Sequence, residues 1–151
     1  MKTFIIWAAR LTVCTAFFLF TQNAQAQSDV YDSGTVWTLS IIRIDANMDD
    51  EYLERLSKTW KASMDEAKKD QLILDYKILK GSATNQDDFN LLLMVEFKNM
   101  ASMDPDPVKD AKWKAIRERI RARPDHQEII QRYGEIRQFF GQKVMREIVL
   151  K

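Results

Sequence analysis

The chemistry open to this chain is narrowed by its single histidine and its single cysteine. His126 lies in the stretch RPDHQ (residues 123–127), where a proline separates two helical patterns. An imidazole that ligates haem iron or acts as a general base must be buried and held by a partner. Because the neighbours of His126 are polar, we expect an exposed histidine at a helix start, with Asp125 as the cap of that helix.

Metal chemistry has few ligands available. A zinc or iron site needs three or four nitrogen, sulfur or carboxylate ligands. The acidic runs, Asp49-Asp50-Glu51, Asp87-Asp88 and Asp104/Asp106, lie at predicted turns and helix starts, where capping accounts for them. We therefore expect no metal site and no cofactor. The sequence contains no GxSxG motif, no phosphate-binding glycine loop and no usable Ser/Cys–His pair, so catalytic residues stay unassigned.

Side chains on the predicted strands are the best candidates for a binding site. Residues two apart in a strand share a face, so Arg43 shares one with Trp37, and Glu96 shares one with Asn90 and Met94. Apolar walls with a few convergent polar groups are the usual composition of a ligand pocket. Alternatively, Arg43 and Glu96 pair across a subunit interface or reach solvent. The candidate ligand-binding residues are Trp37, Arg43, Tyr76, Asn90, Met94, Glu96 and Arg146.

Two helical features have a structural explanation. Trp60 and Trp113 lie on apolar helical stripes, which favours a place in the core. The basic run between Lys109 and Arg123 is diluted by Asp110 and Glu118. It is typical of a solvated helix face, with anionic lipid headgroups or polyanions as the alternative partners.

These side chains are positioned by alternating strand and helix patterns. Runs of β-branched and aromatic residues predict strands over 36–44, 72–80, 89–98 and 143–150. Apolar residues every three or four positions predict helices over 48–69 and 108–122. After Pro124 a further helix carries Ile129, Tyr133, Ile136 and Phe140, with Gly141 as its cap. The order β-α-β-β-α(α)-β predicts an α+β, ferredoxin-like, four-stranded antiparallel sheet with helices on one face.

The second face of such a sheet needs a cover. Strands two to four supply apolar residues to both of their faces. A single domain of this size has no further element to bury the second face, so we expect a second copy to do so. The sequence therefore predicts a homodimer.

Four segments carry a resemblance to a known superfamily. EYLERLSKTWK (51–61), LDYKIL (74–79), FNLLLMVEFKNMASMD (89–104) and GQKVMREI (141–148) resemble the dimeric α/β-barrel superfamily, closest to its small, exported, uncharacterised members. The resemblance implies two ferredoxin-like chains packed sheet to sheet, with a pocket in each half. That superfamily includes cofactor-free oxygenases, haem-degrading and haem-binding enzymes, isomerases and stress-response proteins, so the resemblance implies a fold and leaves the activity open.

The first 26 residues have the order of a secretory signal peptide. Lys2 and Arg10 precede the apolar run Leu11–Phe20, and Ala24-Gln25-Ala26 is a typical cleavage site. The apolar run is shorter than the roughly twenty residues that span a bilayer. We expect cleavage after Ala26, a flexible arm over 27–34, a barrel domain over 35–151, and a periplasmic or secreted protein. Lipidation of Cys14 is the alternative, disfavoured by the bulky residue before it.

Export changes both the charge and the thiol content. Removal of Lys2 and Arg10 takes the 23 cations to 21 against 22 acids, a net charge of −1. A near-neutral chain has no global field for nucleic acid, so no nucleic-acid partner is expected. Loss of the leader also removes Cys14 and leaves no disulfide to stabilise the fold. No stable membrane insertion is expected after cleavage.

The function that these observations predict is binding of a small, mostly apolar ligand in a barrel pocket of an exported homodimer. The alternative is a cofactor-free oxygenase or isomerase that positions an aromatic or quinol-like substrate with Asn90, Glu96 or Tyr76. A third possibility is haem binding through His126.

Overall fold

A single four-stranded sheet organises the protein, for which a computed structural model describes residues 29–151. The strands are β1 (Tyr31–Ile44), β2 (Asp75–Lys80), β3 (Leu91–Phe97) and β4 (Arg137–Leu150). Their order in the sheet is β2-β3-β1-β4. β3 is antiparallel to both of its neighbours. β4 is antiparallel to β1, because residue 142 bonds residue 40 while residue 147 bonds residue 35.

The helices form two groups. The first is continuous and comprises α1 (Asp49–Leu56), a π-helical segment (Ser57–Lys61) and α2 (Ala62–Lys69). The second comprises α3 (Pro107–Arg121) and α4 (His126–Ile136), and a short 3-10 turn (Met100–Met103) follows β3. α3 begins where the sequence places a cap, since the Asp106 carboxylate accepts from two first-turn amides at 2.8 and 3.0 Å.

This order confirms the predicted β-α-β-β-α(α)-β plan. β3 lies between β1 and β2, and β1 lies between β3 and β4. Each strand–helix–strand crossover therefore skips one strand, which defines the ferredoxin-like α+β fold.

The helices pack on one face of the sheet, as predicted. Ile42 and Leu91 share this face and are almost fully buried. With other strand residues and with side chains of α1 and α4 they form one core cluster, and a second cluster joins α2 to α3. Trp60 and Trp113 are partly buried against these clusters, in agreement with their predicted place in the core.

The opposite face of the sheet is also apolar. The register pairs Leu39 with Met94 and Ile41 with Leu92 on this face. Leu79, which is opposite Leu92, extends the patch onto β2. Both core clusters lie on the other side of the sheet, so no described helix packs here. We call this surface the open face.

Several boundaries differ from the sequence prediction. β1 begins at Tyr31, so that part of the predicted arm lies in the strand. α4 ends at Ile136 and β4 begins at the next residue, which places Phe140 in a strand. The prediction that Gly141 caps a helix is therefore wrong: Gly141 lies inside β4 with φ 145°, a conformation that favours glycine.

The described residues separate into two units. Ser33–Leu150 form the compact unit described above. In the other, Lys151 Nζ pairs with the Asp32 carboxylate at 3.2 Å. Between residues 29 and 151, no helix has both the length and the hydropathy of a membrane span. The predicted signal peptide, residues 1–26, lies outside the described residues.

Candidate functional site

A cavity of about 350 Å³ lies on the helix-covered side of the sheet. Its walls come from α1, the π-helical segment, α2, β3, α3, α4 and the first residue of β4. The apolar lining residues are Leu56, Trp60, Leu93, Ile120 and Ile130. The polar lining residues are Thr59, Ser63, Arg117, Arg121, His126, Tyr133 and Arg137.

His126 is buried beside this cavity, with 7% of its surface exposed. The prediction of an exposed histidine is therefore wrong. Its Nδ1 is shut off from solvent and has no hydrogen-bond partner in the described chain. Because Nδ1 is enclosed, Nε2 is the ring nitrogen through which the imidazole can meet a ligand.

The burial of His126 follows from the amphipathic pattern of α4. His126 precedes the buried residues Ile129, Tyr133 and Ile136 at spacings of three and four, so it is the first member of that stripe. Extending the stripe one step towards the amino terminus would have found it. The predicted cap is also corrected, because Asp125 makes no side-chain cap hydrogen bond, and its own φ and ψ are helical.

A hydroxyl pair connects the two helix groups at the cavity. Thr59 Oγ1 lies 2.5 Å from the Tyr133 hydroxyl oxygen and also donates to the Arg55 carbonyl at 3.0 Å. Threonine has one hydroxyl hydrogen, so in this arrangement Tyr133 is the donor to Thr59. Burial raises the pKa of Tyr133, which keeps the phenol protonated at neutral pH.

The π-helical segment positions Thr59 and Trp60 at the cavity. A π turn contains one more residue than an α turn and is frequent at functional sites. Here it coincides with the cavity wall, and the Ser63 hydroxyl donates to the Thr59 carbonyl at 3.0 Å. The sequence pattern predicted an uninterrupted helix over 48–69 and carried no signal for this segment.

Arg137 lies in the cavity wall and contacts two tyrosines, Tyr52 and Tyr133. Its Nη1 donates to the Tyr52 hydroxyl at 2.7 Å, and its guanidinium carbon lies 4.6 Å from the centre of the Tyr133 ring. The two tyrosine rings are 5.2 Å apart. These contacts satisfy part of the guanidinium while leaving it in the cavity wall. Arg137 was absent from the sequence candidates because it was assigned to a helix.

None of the seven candidates named from the sequence lines this cavity. Trp37 and Glu96 are directly opposite each other on the open face, and Met94 lies beside them. Alternation along β1 places Arg43 on the same face, where it donates to the Gln86 carbonyl. Lys77 Nζ lies 4.9 Å from the Trp37 ring centre. Four candidates thus share the face away from the helices, the open face, and their role as ligand-binding residues stays a prediction.

The other three candidates are engaged elsewhere. Tyr76 lies on the helix-covered face, where its hydroxyl donates to Asp65 at 2.5 Å. Asn90 holds the end of β1, accepting from the Ile44 amide at 2.7 Å and donating to the Ile44 carbonyl at 3.0 Å. Arg146 is exposed on β4. The structure therefore separates Tyr76 from the open-face residues, and it uses the Asn90 side chain to hold the β1 backbone.

The described residues also bear on metal and haem binding. Residues 29–151 contain no cluster of three or more potential metal ligands. For haem, His126 has the burial that an axial ligand needs, but among residues 29–151 its Nδ1 has no hydrogen-bond acceptor of the kind that orients such a ligand.

Comparison with known proteins finds solved structures of low sequence identity. No family model and no curated protein matches the sequence. One similar solved structure is a dimeric protein of unknown function with a ferredoxin-like fold from Bacteroides fragilis NCTC 9343, at 12% identity and TM-score 0.39, covering 77% of this chain and 97% of that one. Another is a NIPSNAP family protein of unknown function from Agrobacterium tumefaciens str. C58. It shows 8% identity and TM-score 0.39, covering 78% of this chain and 90% of that one.

A third similar structure is a conserved protein of unknown function from Bacteroides thetaiotaomicron VPI-5482, described as a possible oxidoreductase. It shows 9% identity and TM-score 0.38, covering 78% of this chain and 100% of that one. Because all three TM-scores are below 0.5, the class of the protein rests on its own strand order and helix placement. These define a ferredoxin-like α+β protein with a cavity between its sheet and its helices.

Proposed function

We propose that this protein binds a small, mostly apolar molecule in the cavity between the sheet and the helices. The observation that carries the proposal is the cavity itself, about 350 Å³ with an apolar wall and a few polar groups that converge on it. Ligand pockets in proteins have this composition and start at about this size. The site differs from the one proposed from the sequence, and no catalytic group is assigned to it.

Blocking the cavity mouth tests this proposal. Ile130 lines the cavity and is 48% exposed, so Ile130→Trp narrows the entrance without entering the core. We expect the variant to lose most of the affinity for octan-1-ol that calorimetry measures in the wild type. Val108→Trp is the control, since Val108 is exposed on α3 away from the cavity. Equal binding by both variants would contradict the proposal.

We further propose a homodimer formed through the open face. Its apolar centre lies between Glu96, which is opposite Trp37 near the middle of β1, and Arg43, which is six residues from Trp37 or roughly 20 Å along the strand. In a two-fold pairing that reverses the strand direction, Arg43 of each copy approaches Glu96 of the other, so the face is complementary to itself. An apolar sheet face of this kind typically marks an interaction surface.

Sedimentation tests the dimer. Met94→Lys places a charge at the centre of the open face and should give a monomer at micromolar concentration, because an unpaired buried charge is costly. Val108→Lys introduces the same charge on α3 and should remain dimeric. A monomeric wild-type protein under the same conditions would exclude this interface.

We also propose that the protein is exported to the periplasm or the medium. The support is the order of charges, apolar run and small residues in the first 26 residues. Mass spectrometry of the protein from the producing cells should find a mature chain that begins at Gln27. An intact Met1 in the mature protein would contradict export by this route.

A cofactor-free oxygenase or isomerase remains the second candidate, favoured by the buried imidazole at the cavity wall. A general base must be within reach of its substrate, and Nε2 of His126 is the nitrogen able to meet one. The apo protein is offered a quinol and oxygen. Acceleration that disappears in His126→Ala and survives in Glu96→Ala would support this candidate, and no acceleration would reject it.

A further inference from the structure

The charged side chains that line the cavity are all arginines. They are Arg117 and Arg121 of α3 and Arg137 of β4. Among its lining residues in the described chain, none carries a carboxylate. A low-dielectric cleft lined by charges of one sign concentrates ligands of the opposite sign.

The lining arginines of α3 differ from two neighbouring cations of that helix. Arg119 pairs with Glu66, and Lys114 lies 3.9 Å from Glu118. Arg117 and Arg121, in contrast, form no ion pair with any residue between 29 and 151. They are four residues apart and so lie on the same side of α3, an arrangement of like charges that slightly destabilises a helix. A ligand anion would supply the partner that residues 29–151 do not.

Arg137 is a third guanidinium at the cavity, and it is held in place more firmly than the exposed Arg117 and Arg121. Its guanidinium is held by the Tyr52 hydroxyl at 2.7 Å and by the Tyr133 ring, so little side-chain entropy remains to be lost on binding. Guanidinium groups bind carboxylates and phosphates because their planar donors match two acceptor oxygens. We expect a carboxylate as the head of the ligand, because it is the smaller of the two and leaves more of the cavity for an apolar body.

The volume and the apolar wall determine the rest of the ligand. If each non-hydrogen group occupies about the 30 Å³ that a water molecule takes in the liquid, the cavity accommodates on the order of ten such groups. Leu56, Leu93 and Ile120 provide contacts for a hydrocarbon chain or ring, and none of them can bind a polar substituent. The pocket matches one anionic group joined to one apolar body.

We propose that the ligand of this cavity is a small monocarboxylate with an apolar body, bound with its carboxylate towards Arg117 and Arg121. This inference rests on the proposed binding function and specifies the class of its ligand. It also gives a role to cations that the sequence interpreted as a solvated helix face.

Calorimetric titration with three probes of one chain length tests the charge preference. Octanoate, octan-1-ol and octylammonium share an apolar chain and differ in the head. We expect the wild-type protein to bind octanoate roughly tenfold more tightly than octan-1-ol, the effect of one or two charge-assisted hydrogen bonds, and octylammonium more weakly than either. Raising the salt concentration should weaken octanoate binding selectively.

Paired variants connect the preference to the two arginines. Arg117→Gln/Arg121→Gln should remove most of the preference for octanoate over octan-1-ol, and Arg137 should account for what remains. Both side chains are exposed, so the fold should tolerate the change. Arg119→Gln is the matched control, because Arg119 is on the same helix but pairs with Glu66 outside the cavity, and it should retain the preference.

The outcomes separate this inference from the proposed function. Equal affinity for octanoate and octan-1-ol, or a preference for octylammonium, overturns the inference and leaves an apolar pocket standing. If the double variant keeps the full wild-type preference for octanoate over octan-1-ol, the assignment to Arg117 and Arg121 is overturned. Binding of none of the three probes contradicts the proposed function itself.

Discussion

Replacing His126 by leucine should stabilise the protein. A buried polar atom without a partner costs about 1–3 kcal/mol, and Nδ1 of His126 has no partner among residues 29–151. His126→Leu removes it, keeps a side chain of similar size and adds apolar contact with the α4 stripe. We expect the free energy of unfolding to rise by about 1–2 kcal/mol and the melting temperature by a few degrees.

Tyr133 provides the opposite case in the same cavity. Its hydroxyl is buried but has a partner, Thr59, at 2.5 Å. Tyr133→Phe therefore loses a hydrogen bond and should reduce the free energy of unfolding by about 1 kcal/mol. The two substitutions both make the wall more apolar, yet they should change stability in opposite directions.

Urea denaturation of the three proteins at one fixed concentration measures the difference. A fixed concentration matters because a dimer is stabilised by mass action. The denaturant slopes should agree, so that midpoint shifts report stability alone. If His126→Leu destabilises the protein as Tyr133→Phe does, then His126 has a structural role and the argument from its unpartnered nitrogen is refuted.

Three further expectations concern the frame around the site. Asn90→Ala should cost about 1–2 kcal/mol, because both of its hydrogen bonds to the Ile44 backbone are lost, and an unchanged urea midpoint would contradict that role. Asp106→Ala should cost about 1 kcal/mol as the cap of α3, whereas Asp106→Asn should restore most of it; equal loss in both variants would count against capping. Hydrogen bonding to Arg132 lowers the pKa of the Glu51 carboxylate, so its contribution is present above the ordinary pKa and is lost as the pH falls through the lowered one. The melting temperatures of wild type and Glu51→Gln should therefore differ at neutral pH and converge in acid, and a constant difference would argue against the ion pair.

The apolar patterns along the sequence were sufficient to predict the fold. A spacing of three or four residues indicates a helix and a spacing of two indicates a strand, because each spacing follows from the local backbone geometry. Apolar residues at intervals of three and four identified the stripes of Leu56 and Ile129, and alternation identified Leu91 and Leu93 as one buried face. The failure at the end of α4 has a tertiary cause. Phe140 continues the helical spacing, but Arg137 is already extended and is bonded to Tyr52, which no local pattern encodes.

The candidates named from the sequence and the cavity lie in different places for a related reason. Alternation correctly put Trp37, Met94 and Glu96 on one face, yet it carries no information about which face the helices cover. Tyr76 illustrates the consequence, since it lies on the opposite face and bonds Asp65. His126 was misplaced because its polar neighbours in the chain are not its neighbours in space.

The sequence by itself determined the order of elements, the ferredoxin-like topology and the two apolar sheet faces, because these depend on periodicities that persist over several residues. Only the tertiary structure decided where a cavity forms and which side chains reach it. A cavity is the space left where α1, the π-helical segment, α3 and α4 meet over the sheet, and its lining comes from residues that are far apart in the chain. Arg117 and Arg121, which form no ion pair with residues 29–151, become informative only in that setting, because the structure places both of them at a cavity that has no carboxylate among its described lining residues.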